Sequence, residues 1–156
     1  MKKRNLSAKK KIHSFYLDKL NNPVIKKIYF KFRNNLKTIN EKKICIALSG
    51  GPDSMALAFL TKCYSIKKKV NCYYYIVDHK LRADSTIEAN NIKRQLKKFD
   101  INCSILTWKH NNNFSNIQSK ARDERYKLIF EECLKKKIKF VLTAHQKNDL
   151  FENFFI

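Results

Sequence analysis

The chain has 156 residues, 44% of them hydrophobic, and 34 Lys and Arg against 13 Asp and Glu give it a formal charge of +21. That length supports one domain with a sizeable core. No apolar run reaches the length of a membrane span or a signal peptide, so a soluble cytoplasmic protein is expected. The charge has two readings: a polyanionic partner such as RNA or DNA, or the Lys-, Asn- and Ile-rich composition of an AT-rich genome.

Residues 1–22 are Lys-rich with scattered apolar positions and predict a floppy or partly helical lead. Pro23 suits a first helical position, and Ile25, Ile28, Tyr29, Phe32, Leu36 and Ile39 follow at helical spacing, predicting an amphipathic helix over 23–39. Its basic outer face reads as a solvated surface in preference to a dedicated RNA-binding helix. From residue 43 the pattern alternates. Strands are expected at 43–48, 70–77, 101–108 and 138–143. Helices are expected at about 53–64, from Ser85 (with Glu88 completing a capping box), and from Asn116 to Lys136. Ile87, Ile92, Leu96 and Phe99 should share the buried face of the second helix, with Asn91 as a polar exception. Ile117, Ala121, Leu128, Ile129, Cys133 and Leu134 form the apolar set of the third. A fourth helix is expected from about Asn148.

This βαβαβαβ order predicts an α/β fold with an open parallel sheet and helices on both faces. The expected division is a basic helical lead over 1–40 and a nucleotide domain over 41–156. Phe151, Phe154, Phe155 and Ile156 are apolar at helical spacing and no stop signal follows, so the domain is expected to be incomplete at its C-terminus. The five cysteines are odd in number, widely spaced and lack any Cys-x-x-Cys pair, which argues against a disulfide framework or structural zinc.

The only two glycines are adjacent, in Ser49-Gly50-Gly51-Pro52-Asp53-Ser54, between a predicted strand and a predicted helix. Such a turn lets the backbone approach an anion at a helix start. The N–H groups of Gly50, Gly51 and Asp53 are expected to ring a phosphate, with the Ser49 and Ser54 hydroxyls adding donors. Asp53 is expected to hold Mg²⁺ against the phosphates. The spacing is neither Gly-x-x-x-x-Gly-Lys-Ser/Thr nor Gly-x-Gly-x-x-Gly. Ligands in open α/β sheets bind beyond the C-terminal strand ends. Two further strands should deliver polar groups to that edge: Asp78, His79 and Arg82 after the second, His145, Asn148, Asp149 and Glu152 after the fourth.

The Ser-Gly-Gly-x-Asp-Ser loop resembles that of the N-type ATP pyrophosphatases, and three further segments resemble tRNA(Ile)-lysidine synthases. These are Val77-Asp78-His79-Lys80-Leu81-Arg82, the stretch Ala121-Arg122-Asp123-Glu124-Arg125-Tyr126, and Thr143-Ala144-His145 with Asp149 and Glu152. Gln146 and Asn153 depart from that pattern, and the family continues well past this point. The resemblance implies a Rossmann-like fold of the adenine nucleotide alpha hydrolase type. It implies ATP and Mg²⁺ as cofactors and two substrates, L-lysine and tRNA(Ile) with a CAU anticodon. The O2 of the wobble cytidine would attack the α-phosphate of ATP, pyrophosphate would leave, and the lysine side-chain amine would then displace AMP at C2. Within it, Ser49, Gly50, Gly51, Pro52, Asp53, Ser54 and Asp78 would hold the nucleotide. Asp53 and Asp149 would hold the metal, and Asp53, Arg122, Arg125 and His145 would serve catalysis. His79 and Arg82 would face the substrate. Two other readings stay open: a non-catalytic remnant that binds nucleotide or RNA, and a tRNA sulfur-transfer enzyme on the same loop.

Overall fold

The computed structural model describes residues 3–110 and 116–144, with side chains from Lys10 onward. The lead is helical: α1 spans Lys3–Lys19 and α2 spans Pro23–Asn35. Pro23 opens α2, and the Asn22 side chain caps it by accepting from the N–H groups of Val24 and Ile25 at 3.0 and 3.2 Å. The helix ends at Leu36, before the expected Ile39: the Leu36 N–H still donates to the Phe32 carbonyl at 3.2 Å, but the Lys37 N–H turns back to the Asn34 carbonyl at 3.1 Å.

The alternating part follows as β1 Lys43–Leu48, α3 Pro52–Lys68, β2 Asn71–Asp78, α4 Ser85–Lys98, β3 Cys103–Thr107, α5 Ile117–Lys136 and β4 Val141–Thr143. The sheet is parallel in the order β3-β2-β1-β4. Helices cover both faces. The fourth strand is shorter than the apolar run predicted, since Lys137 ends α5 in a left-handed turn and Ile138 is buried beneath it. The fourth predicted helix lies outside the described residues.

Period-two alternation divides the central strands between two cores. Ile44, Ile46 and Leu48 of β1 and Tyr74 and Ile76 of β2 face α3 and α4. Cys45 and Ala47, with Tyr75 and Val77, face Ile129 and Cys133 of α5. The first core continues outward, because Tyr16 and Leu20 of α1 and Tyr29 of α2, with Leu36 at its end, belong to it. The Tyr16 ring packs 5.2 Å from Phe59 of α3, and its hydroxyl donates to the Phe99 carbonyl at 2.8 Å. The lead is thus a third layer bound over α3 and the end of α4.

Two helices bury a narrower face than their periodicity suggests. On α4, Ala89 and Leu96 are buried and Ile92 is half-buried, while Ile87 and Phe99 are exposed. On α5, Leu134 is 77% exposed, so the apolar set closes at Cys133. The capping box at the start of α4 does not form. Ser85 turns its hydroxyl to Asp78, and Glu88 pairs with Arg82 at 2.9 Å.

With no glycine outside the loop, helix ends use other residues. Lys69 and Lys137, which close α3 and α5, sit at φ 54° and 54°, and Asp100 after α4 at 55°. A side chain in this left-handed region costs roughly 1–2 kcal/mol that glycine avoids. Both lysines are exposed. Lys69→Gly and Lys137→Gly should each raise stability by about 0.5–1 kcal/mol, less than the full strain because glycine also loosens the unfolded chain. Urea denaturation of the single variants measures this, and a midpoint that falls in both contradicts it.

Candidate active site

The strand order reverses beside β1: the chain leaves β1 toward β2 and returns to its other side as β4. That reversal opens a crevice beyond the strand ends, and the glycine turn lies in it. Gly50 has φ +86°, and α3 starts at Pro52 with Gly51 as its N-cap, which has no side chain to cap with. The torsion asks for glycine, and a Cβ on Gly50 would in addition stand 2.2 Å from Cδ1 of Ile92, which would have to rotate aside. Ile92 was read from the sequence only as a packing residue of α4.

The turn is held by its own serines. The Gly50 N–H donates to Ser54 Oγ at 3.0 Å, and that hydroxyl donates to the Gly51 carbonyl at 2.9 Å. Ser54 is 2% exposed. Where both were expected to offer hydrogens to an anion, the Gly50 amide here donates to Ser54 and the Ser54 hydroxyl to the Gly51 carbonyl, and these bonds fix the loop's shape. Ser49 is exposed and accepts a long bond, 3.4 Å, from the Gly51 N–H. Among the described residues, the donors that face a ligand are the Ser49 hydroxyl, the weakly held Gly51 N–H and the first-turn amide of Ser54, which by geometry has no acceptor within the helix. Pro52 brings none and fixes the helix start.

Two adjoining cavities flank Ser49. One, of about 240 Å³, lies between the ends of β1 and β2 and helix α4, with apolar walls from Leu48, Ile76, Val77, Ala89 and Ile92 and polar ones from Asp78, His79 and Arg82. The other, of about 200 Å³, lies between β1, β4 and α5 and is lined by Ser49, Ser54, Tyr126, Thr143 and Ala144. Arg125 lines both.

Arg125 is set by a histidine. Its Nε and Nη2 both lie against Nε2 of His79, at 3.3 and 3.2 Å. Nε2 must accept, so the imidazole proton sits on Nδ1, which is buried and has no hydrogen-bond partner among the described residues. Burial lowers the His79 pKa first, the Arg125 charge lowers it further, and the nearby Asp78 opposes both. The carbonyl of His79 accepts from His110 Nε2 at 2.8 Å, and His110 stacks on the buried Trp108 at 4.0 Å between ring centres. Sequence reading assigned His110 nothing.

Asp78, expected among the nucleotide contacts, lines the larger cavity but spends its carboxylate on the chain. Its oxygens accept from Ser85 Oγ at 2.8 Å, Thr86 Oγ1 at 2.6 Å and the Lys80 N–H at 3.0 Å. Burial pushes the carboxyl up, but these bonds and the Lys80 charge outweigh it and hold the pKa below the ordinary value. The residue therefore locks the β2–α4 connection, with Lys80 at φ 51°, into the shape that presents His79 and Arg82.

The remaining expected residues divide. Arg82 lines the larger cavity, 2.9 Å from Glu88. Arg122 is exposed on α5 and lines neither cavity, so the structure does not bring it beside Arg125 on these walls. Asp53 is exposed in the first turn of α3. His145, Asn148, Asp149 and Glu152 lie outside the described residues. Among the described residues no group of three or more His, Cys, Asp or Glu is placed to hold a metal. Asp53 is a hard oxygen donor beside the loop and fits Mg²⁺ as a single ligand, whereas Asp78, already saturated, does not.

A strand–glycine turn–helix at the reversal of a parallel sheet defines a nucleotide-type α/β domain. The sequence profile of the PP-loop domain matches residues 23–156, and the chain belongs to the PP-loop family. Within it, the chain is 38% identical over 138 residues to tRNA(Ile)-lysidine synthase of Rickettsia typhi, covering 81% of this chain and 30% of that protein. The Rickettsia bellii enzyme of the same name is 37% identical over 131 residues, covering 81% and 30%. The chain thus spans about 30% of the length of these curated relatives. In structure it is similar to the U34-tRNA thiolase NcsA from Methanococcus maripaludis with its [4Fe–4S] cluster, with a TM-score of 0.67 at 21% identity, over 78% of this chain and 46% of that one. That likeness carries the fold. α1 precedes the matched profile, which begins at Pro23. No described helix is long and apolar enough to cross a membrane.

Two variants probe this geometry. Gly50→Ala should lower stability by about 1–3 kcal/mol through torsional strain and overpacking. Adding Ile92→Ala should return part of that loss, because the methyl then has room, so the pair should deviate from additivity in urea melts. Additive losses would show that Ile92 does not confine the turn. The second concerns pH. The unfolded chain binds a proton at His79 near pH 6.5, the folded chain only at lower pH, so between the two the unfolded state holds more protons. The His79 contribution to stability is therefore complete above about pH 6.5 and lost as pH falls toward the lowered folded value. The urea midpoint should drop across pH 6.5 to 5, and less steeply in His79→Gln. Equal slopes in the two proteins would remove His79 as the cause.

Proposed function

We propose that the chain is the ATP-activating part of a tRNA(Ile)-lysidine synthetase, a ligase that joins L-lysine to C2 of the wobble cytidine through an adenylated intermediate. The observation that carries the reading is Arg125, shared by two cavities that meet at Ser49 beside the glycine turn. The larger cavity has the apolar walls that suit a purine face. The turn and the first turn of α3 would take the phosphates, where N–H groups and the helix dipole favour negative charge. The smaller cavity would admit the cytidine, so that its O2 approaches the α-phosphate from the β4 side.

Arg125 would sit where charge accumulates as pyrophosphate departs, and His79, kept neutral, leaves the guanidinium charge uncompensated for that task. The Ser49 hydroxyl would orient an α-phosphate oxygen. Mg²⁺ bound through Asp53, with Asp149 as the proposed second ligand, would neutralise phosphate charge. His145 and Arg122 are the remaining proposed contacts to nucleotide or substrate. The second step breaks the C2–O bond to AMP as the lysine amine bonds to C2, releasing a proton.

The cysteines speak against sulfur transfer as the chemistry here. Burial raises the thiol pKa of all five, Cys72 and Cys103 to about 11, so each is a protonated core side chain at neutral pH.

Purified chain given ATP, Mg²⁺, L-lysine and a tRNA(Ile) transcript with a CAU anticodon should release pyrophosphate and add the mass of lysine to the RNA. Folded protein that binds ATP yet releases no pyrophosphate would favour the remnant reading, and an oxygen-to-sulfur mass change would favour the thiolase reading. Asp53→Ala should keep the fold and lower Mg-dependent ATP affinity at least tenfold; unchanged affinity would take the metal away from Asp53.

A further inference from the structure

The charge is not spread evenly along the chain. Residues 1–40 hold twelve of the 34 basic residues but only one acid, Asp18, and so carry +11 of the net +21 in a quarter of the length. Charge scattered in proportion to length would leave this quarter with about half as much, and the excess comes from the scarcity of acids as well as from added lysines. The structure converts this stretch into an outer surface. Tyr16, Leu20, Tyr29 and Leu36 are buried against the body, which turns the polar sides of α1 and α2 outward.

Lys10, Lys11, Lys26, Lys27, Lys31 and Lys37 are exposed, and among the described residues none of them forms an ion pair. The opposite side of the sheet differs. There Lys127, Lys135 and Lys139 are paired with Glu124, Glu132 and Glu41, at 3.4, 2.8 and 2.9 Å. The first layer leaves these six cations open to an external anion, while on the other side three of the exposed lysines are paired within the chain and Lys136 and Lys137 form no ion pair among the described residues. The open layer contacts α3, whose first turn is the glycine loop.

We propose that the outer faces of α1 and α2 form a phosphate-backbone docking surface for the RNA substrate, in which α1, lying before the matched profile, extends the PP-loop domain. This rests on the reading of the chain as a tRNA-modifying enzyme. Unpaired lysines on a rigid two-helix layer suit an RNA strand, which each contact binds by releasing a counterion, and they need no base readout.

The test compares two variants of the full chain with equal loss of charge. One replaces Lys10, Lys11, Lys26 and Lys27 by Gln; the other replaces Lys127, Lys135, Lys137 and Lys139 by Gln. The probe is the tRNA(Ile) transcript, with affinity read by fluorescence anisotropy from 50 to 300 mM KCl and folding checked by circular dichroism. The first variant should lose about tenfold or more in affinity at low salt. Its slope of log K against log salt should shrink by about 3, at about 0.7–0.9 per lost contact. The second should stay within about threefold of the parent, and both should bind ATP as the parent does. Equal losses in the two variants, no loss in the first, or a parent chain that binds anionic vesicles but not tRNA would each overturn the proposal. Failure to bind ATP in the parent would instead strike at the PP-loop reading.

Discussion

The site depends on a backbone torsion at Gly50 that residues with a side chain rarely adopt. Gly50 turns at φ +86° with its Cα beneath Ile92, and a Cβ there would overlap Cδ1 of that residue. The contact joins two parts of the chain that do not otherwise share a loop. β1 and α3 supply the turn, and α4, which follows β2, supplies the isoleucine. Because Ile92 also lines the larger cavity, one side chain borders both the cavity and the glycine turn. The Ser54–Gly50–Gly51 hydrogen-bond ring then keeps the turn shaped without a ligand, so the loop does not have to be ordered when an anion arrives.

Electrostatics in the crevice follow from which groups are spent and which are left. Asp78 stands at the C-terminal end of β2, where a carboxylate would repel phosphate, yet three donors from its own connection absorb it. Arg125 would lose its value to an anion if an acid held it. A neutral imidazole holds it, so its orientation is fixed while its charge stays open. The unpartnered Nδ1 of His79 is the cost of that arrangement, roughly 1–3 kcal/mol for a buried polar group without a bond.

Much of the fold was legible because the signals were local. β1 was found to the residue, since five consecutive apolar positions buried on both faces can only be a central strand here. The glycine pair located the turn, and the strand-end rule located the crevice. The failures came from partners distant in sequence. Ser85 fits a capping box on spacing alone, but Asp78, seven residues earlier, offers it a charged acceptor. Ile87 and Leu134 match their helical periods, and nothing in a period tells how far a neighbouring layer extends. The role of Ile92 was invisible for a similar reason, because the glycine that needs it lies on another element. The lowered pKa of His79 likewise comes from its burial and from Arg125, 46 residues away.

The chain's use of glycine separates function from composition. Three helices end on left-handed residues that are not glycine, at Lys69, Asp100 and Lys137, each carrying strain that glycine would remove. A sequence so lysine-rich tolerates that strain because helix ends are exposed and the loss is small beside the burial of two cores. At Gly50 the same tolerance fails. Torsional strain at φ +86° is the larger obstacle there, and it adds to an overlap with Cδ1 of Ile92, the free end of a side chain that can rotate away. That rotation would reshape the wall of the larger cavity beside Ser49. The position is thus held to glycine by the geometry of the crevice, whatever the general composition allows elsewhere.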